Sequence, residues 1–361
     1  MPGKTCLSAV PAALCGILLA ACGSTAIAPP KSSGAPPRVR ITETLIEGAS
    51  GPLSPGEVVG ASWSRALTQE VWSNRDGHAA LVYRDRLWVI GGWSAGPLGD
   101  VWSSGDGLSW RIATPQASWP ARRASAAAVF AGRLWLLGGS LGVEVLRDVW
   151  SSTDGAAWTA ERDAPWSARH NHAAAVFAGR LWVLGGWGDR ETGGQGNLSD
   201  VWSTADGSAW TRATSPAPWS PRNGHSVLVY DGRLWVLGGW GLRDDGSEGN
   251  LADVWSTADG ETWRQECAKA PWAPRNHHAS VAFGGRLWVL GGWGAGDLRE
   301  GNLNDVWWTR DGKSWRPATG QAEWLPRNGH TAVEFLGKMW ILGGWSQFVG
   351  GTSVNDLWWS R

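Results

Sequence analysis

Five histidines in this chain keep the same company. His78, His172, His225, His278 and His330 each stand three residues after an arginine, with Ser125 in the corresponding sixth place. Imidazoles arrayed at a channel mouth have the chemistry to hold a metal, but the ligands must converge to about 2.0–2.1 Å from the ion. Sixfold spacing holds them apart, so each histidine is expected to bond a neighbouring strand, with no metal or other cofactor. The arginines, at 75, 122, 169, 222, 275 and 327, are matched by aspartates at 100, 148, 200, 253, 305 and 356. A ligand would not need all six, so the pattern points to repeated Arg-carboxylate forks that pin loops.

The residues directly after each arginine break the pattern: Asp76, Arg123, His170, Asn223, Asn276 and Asn328. These six are the expected hydrogen-bonding groups of a ligand face. Trp93, Trp187, Trp240, Trp293 and Trp345, each directly after a Gly-Gly pair, join them as amphipathic rings that can stack on a sugar or grip a peptide. Covering the tops of sheets is the competing use of those rings. Carboxylates at Asp189, Glu191, Asp244, Asp245, Glu248, Asp297 and Glu300 lie in the same connections, and the sequence leaves open whether any two converge.

What positions these residues is a repeat. Gly-Gly pairs after an apolar run begin at Gly91, Gly138, Gly185, Gly238, Gly291 and Gly343, spaced 47, 47, 53, 53 and 52 residues apart. A period near 50 suits one four-stranded blade of a β-propeller. Each copy carries four strand signals, as in "HSVLVY", "RLWVLGG", "DVWST" and "SAWTRA", separated by turns such as "DGR" and "ADG". The second strand is apolar without alternation, as expected of a sheet buried on both faces. All 31 tryptophans fall on this grid, mostly as packing between blades. Asp106, Asp154, Asp206, Asp259 and Asp311 read as turn residues that bond their own backbone.

The connection from second to third strand varies most. Between Gly-Gly and the aspartate it counts 7 and 8 residues in the first two repeats, then 13, 13, 12 and 11. Longer loops on one face of an array are the usual place for binding. Trp63, in "GASWSRALTQEVW", matches the fourth-strand segments, yet no earlier strands of its own precede it. The chain ends at "NDLWWSR", after a third strand. The fold expected is therefore an all-β, six-bladed propeller closed by an N-terminal outer strand in the last blade.

The Gly-Gly ending the second strand, the aromatic in the third, the later tryptophan and the arginine before the first strand resemble kelch repeats over residues 60–361. Kelch repeats usually show Tyr where this chain has the Trp of "DVW". The resemblance implies the propeller fold and admits both scaffolds and enzymes. Galactose oxidase, a copper enzyme with a similar fold, needs tyrosine ligands and a Cys-Tyr crosslink, and only Tyr83 and Tyr230 are present. The alternative that the resemblance implies is a carbohydrate enzyme of the sugar mutarotase or epimerase kind, which exported kelch-like proteins resemble.

The first residues carry Lys4, then an apolar run ending in Leu19-Ala20-Ala21-Cys22, which resembles the lipobox of bacterial lipoproteins. Residues 1–21 are expected to be a lipoprotein signal peptide with lipidation at Cys22. Residues 22–59, rich in Pro, Ser and Gly, read as a tether, and 60–361 as the propeller. Cys267 is the one cysteine beyond that segment, so no disulfide is expected within the repeats. With 32 basic and 32 acidic residues there is no bulk field for nucleic acid or an anionic membrane. The expectation is an exported monomer in the bacterial envelope, held to the membrane through a lipid anchor only, in the outer membrane if the cell has one. Its partner would be a glycan or protein on the loop face.

Overall fold

The computed structural model describes residues 59–68, 71–295 and 300–361. The expected signal peptide, Cys22 and the tether up to residue 58 lie outside them, as does Asp297. The described residues form strands, turns and one short 3-10 turn, Gln347–Val349. No helix among them is long and apolar enough to cross a membrane.

The protein is an all-β propeller. The first repeat shows the plan: strands Ala79–Tyr83, Arg86–Trp93, Pro97–Ser104 and Trp110–Thr114 pair antiparallel in chain order. The first two meet in a tight turn with φ of 49° at Arg84 and 55° at Asp85, the mirror-image geometry that matches strand twist. At the other tight turn the Asp106 carboxylate accepts from the backbone N–H of Leu108 at 2.8 Å and Ser109 at 2.7 Å. Asp154, Asp206, Asp259 and Asp311 do the same in their own repeats.

The second strand is buried nearly throughout, with Leu87, Val89 and Ile90 fully inaccessible. Its indole packs against the neighbouring sheet. A Cβ on Gly107, Gly155, Gly207, Gly260 or Gly312 would lie 2.0 to 2.5 Å from Trp340, Trp88, Trp135, Trp182 or Trp235 respectively. Only glycine fits there. Gly60 stands in the same relation to Trp288 at 2.5 Å. A second series crosses edge to face: Trp72 with Trp110, Trp119 with Trp158, Trp166 with Trp210, Trp219 with Trp263 and Trp272 with Trp315. Trp324 meets Trp63 in the same way at 6.0 Å. Ser64 and Arg65 pair antiparallel with Trp359 and Trp358 of the final strand, Thr352–Ser360.

In the third to fifth repeats the longer connections are hairpin extensions. Arg180–Asp189 pairs with Gln195–Thr204, Arg233–Leu242 with Glu248–Thr257, and Arg286–Ala295 with Glu300–Thr309. Each hairpin is irregular at the Gly-Gly pair, as at Leu184/Gly186. Trp187, Trp240 and Trp293 thereby become strand residues facing Asn197, Asn250 and Asn302.

Candidate functional site at the axis mouth

The site begins with the arginine of each repeat. Arg75 Nη1 donates to the Gly91 carbonyl at 2.9 Å and to Asp100 Oδ1 at 2.8 Å, while Nη2 donates to Asp100 Oδ2 at 2.7 Å. The Trp102 indole N–H closes the group on Asp100 Oδ2 at 2.7 Å. The same fork recurs from Arg122 to Asp148, Arg169 to Asp200, Arg222 to Asp253, Arg275 to Asp305 and Arg327 to Asp356. All six arginines have no exposed surface. Burial would push the Asp200 and Asp253 carboxyls up, but the arginine on each, with Trp202 or Trp255, holds them below the usual carboxylate range. The six pairs are structural, and they fix the backbone that follows.

The histidines are structural too. Each packs near the tryptophan ahead of it, as His78 does with Trp72 at 5.6 Å. The Cε1 edge of each meets the first glycine of the preceding repeat's pair, as His225 meets Gly185. Where that neighbour offers a hydroxyl, the imidazole takes it: His278 with Ser226 at 2.9 Å and His78 with Thr331 at 3.0 Å. Burial, helped by the adjacent arginine, drives His78, His225 and His330 down to about 3. They are neutral wedges between sheets. Among the described residues no group of three or more His, Cys, Asp or Glu side chains could hold a metal ion.

Between each arginine and the histidine that follows it, or Ser125 in the second repeat, lie two residues. The second of them forms a feature that the sequence reading did not find. Ala124 donates its backbone N–H to Gly77, Asn171 to Ala124, Gly224 to Asn171, His277 to Gly224, Gly329 to His277 and Gly77 to Gly329, at 2.7 to 3.0 Å. The six bonds form a closed cycle. All six residues have positive φ, from 47° at His277 to 62° at Gly329. Gly and Asn enter that region readily, whereas Ala124 and His277 do so at a cost. The run of Gly and Asn at this place was the available signal.

The first of the two residues is the one singled out from the sequence, and all six bracket this cycle. Asn223 Nδ2 donates to Asn197 Oδ1 at 2.6 Å, Asn276 to Asn250 at 2.5 Å and Asn328 to Asn302 at 2.6 Å. Asp76 Oδ2 accepts from Ser353 Oγ at 2.6 Å. Burial raises the Asp76 carboxyl, against the opposing pull of Ser353 and Arg123. Arg123 lies over the Trp93 ring, 4.5 Å from its centre. His170 is pushed down by burial and by Arg123. His277, absent from the sequence-derived set, shares this space: its Nδ1 sits 2.5 Å from Asn276 Oδ1, and burial with His170 and Arg123 brings it to about 4. Trp93, Trp187, Trp240, Trp293 and Trp345 are half-buried, and Trp293 and Trp345 approach each other at 6.4 Å. Of the loop carboxylates, Glu191 is held by Arg212 at 2.7 Å and Asp245 by Ser247 at 2.6 Å, both at exposed hairpin tips.

Sheets set face to face as blades, with Gly-Gly, Arg and Trp at repeated places, define a β-propeller. Residues 274–308 match the Kelch motif family model. The chain is 30% identical over 166 residues to the Leucine-zipper-like transcriptional regulator 1 homolog of Drosophila melanogaster, covering 41% of this chain and 15% of that protein. It is 35% identical over 147 residues to the Dynein alpha chain, flagellar outer arm, of Chlamydomonas reinhardtii, covering 38% of this chain and 3% of that protein. Both matches thus span a small part of much longer proteins. Among solved structures it is similar to YjhT, with a TM-score of 0.64 and 16% identity over 81% of this chain and 96% of that one. That likeness is one of fold.

Proposed function

We propose that this chain is a six-bladed kelch-like ring, closed by the strand at Trp63, whose axis mouth binds a glycan or protein ligand. The observation that carries the reading is the cycle of six backbone hydrogen bonds, which draws six polar side chains of four kinds around one axis. Ring closure is supported by the pairing of Ser64 and Arg65 with the final strand, and by Trp63 and Gly60 completing their two series. The half-buried tryptophans beside the stations supply flat apolar surface for a sugar ring or peptide.

The test is a glycan array together with binding measurements on two sets of variants. Trp240→Ala and Trp293→Ala should weaken the ligand found, while Arg233→Ala on the opposite face should not. Loss of binding from Arg233→Ala alone refutes the choice of face. Neutral imidazoles at His170 and His277 also favour a second reading, proton transfer in sugar mutarotation or epimerisation. A sugar-anomer exchange assay tests it, and a rate unchanged by His277→Ala rejects it.

The envelope assignment belongs to the same proposal. Cys22 after its apolar run supports lipidation, with the tether reaching from membrane to ring. Mass spectrometry of the mature N-terminus should find lipid on Cys22, and unmodified cleavage elsewhere refutes the anchor.

A further inference from the structure

Four of the six axis stations are already engaged by the preceding repeat and two are not. Asn223, Asn276 and Asn328 spend their amides on Asn197, Asn250 and Asn302, and Asp76 on Ser353. Among the described residues the side chains of Arg123 and His170 have no hydrogen-bond partner and no ion pair. The cause lies in the preceding hairpins. Opposite Trp93 stands Pro97, and opposite Ser140 stands Val145, neither of which offers a side-chain acceptor. These are also the two repeats with the short connections, and the second carries Ser140 where the other five carry tryptophan. The polar collar is therefore open on one side, where the wall is lowest.

We propose that Arg123, His170 and the Trp93 ring form a seat for the carboxylate of an acidic ligand. The proposal rests on the reading that this face binds and adds the ligand's chemistry to it. A guanidinium presents planar donors that match a carboxylate in a two-bond fork. Stacking on Trp93 fixes that plane without consuming a donor. The His170 imidazole supplies a third hydrogen bond from the adjacent station, and the remainder of the Trp93 face carries the apolar part of the ligand. The carboxylate of Asp76 is near enough to feel Arg123, but its Oδ2 is held by Ser353. A neutral polyol would leave the arginine without its matching partner. The carboxylate belongs either to a sugar acid or to an acidic side chain, and the two sources are separable.

Titration calorimetry on the mature chain compares glucuronate with glucose, and N-acetyl-aspartate amide with N-acetyl-asparagine amide. The acid of at least one pair should bind about tenfold or more tightly than its neutral partner, and which pair does so names the source. Arg123→Gln should erase that preference. Ser140→Trp, which restores the residue of the other five repeats, should crowd the seat and weaken the acid selectively. The seat is overturned if acid and neutral probes bind alike, if the preference survives Arg123→Gln, or if none of the four binds at about 50 mM. A neutral sugar that binds through Trp240 and Trp293 with no preference for acid would refute the seat while the binding face stands.

Discussion

Arg122 and Arg123 are neighbours in the chain and opposites in their surroundings. Arg122 is fully buried, forked onto Asp148 at 2.6 and 2.7 Å and bonded to the Gly138 carbonyl at 2.9 Å. Arg123 lies partly exposed over Trp93 without a carboxylate of its own. One belongs to a layer written alike in all six repeats, the other to a rim that is asparagine in three repeats and Asp, Arg or His in the other three. The lesson is that residue type says little here until its copy number is known. A residue that repeats six times supports the fold, and a residue that varies at the same register is free to serve a ligand.

Four measurements probe that division. The largest effect should come from removing residues 60–67, which strips the final sheet of its fourth strand and Trp324 of its edge-to-face partner. Loss of a large buried aromatic alone costs about 3–5 kcal/mol, and an open strand edge invites association. Thermal melting and light scattering should show early unfolding with aggregation. A truncated chain that melts like the intact one would defeat the role given to Trp63.

Arg122→Ala should come next, at about 2–3 kcal/mol in urea unfolding, because it leaves the half-buried Asp148 carboxylate with only the Trp150 N–H, and the Gly138 carbonyl without its donor. A cost below about 1 kcal/mol would show that the fork is dispensable. Acid should then weaken the regular layer before the carboxylates titrate. Unfolded histidines take up protons below about pH 6.5, whereas His78, His225 and His330 stay neutral in the fold down to about 3. Stability is therefore full above pH 6.5 and is lost as pH falls toward 3. The slope reaches about 1.4 kcal/mol per pH unit for each such histidine. A urea midpoint that holds steady from pH 6.5 to 5 contradicts their burial as neutral groups. Arg123→Ala should do least, shifting unfolding by no more than about 0.5 kcal/mol while it changes ligand binding. A destabilisation as large as that of Arg122→Ala would erase the distinction between layer and rim.

Most of the regular layer was legible in the sequence because repetition multiplies its signal. One Gly-Gly pair or one Arg with a distant Asp would mean little, but six of each at one register identify the strand end and its fork. The turn aspartates were readable for the same reason. The rim was legible only in outline. Asp76, Arg123, His170, Asn223, Asn276 and Asn328 stood out as departures from the repeat, yet their partners did not. Asn197, Asn250 and Asn302 lie in "GNL" segments that recur three times, and what each touches is decided by the next repeat about 26 residues on. That distance is set by how blades stack, which a single strand pattern does not encode. His277 escaped notice because its neighbour His278 filled the repeated place. Its exposure to the axis follows from a left-handed backbone that the sequence marks with glycine in three other repeats and with histidine here.

The cycle through Gly77, Ala124, Asn171, Gly224, His277 and Gly329 has an electrical consequence. Each peptide N–H in it points along the circle to the next carbonyl, so the bond dipoles run head to tail and cancel. A helix terminus draws anions with unspent N–H groups, but here every one of these donors is already spent. The floor of the rim is thus electrically mute. Charge and hydrogen bonds offered to a ligand must come from the few side chains standing around it, so one substitution at a single station can change what is recognised while the sheets beneath remain as they are.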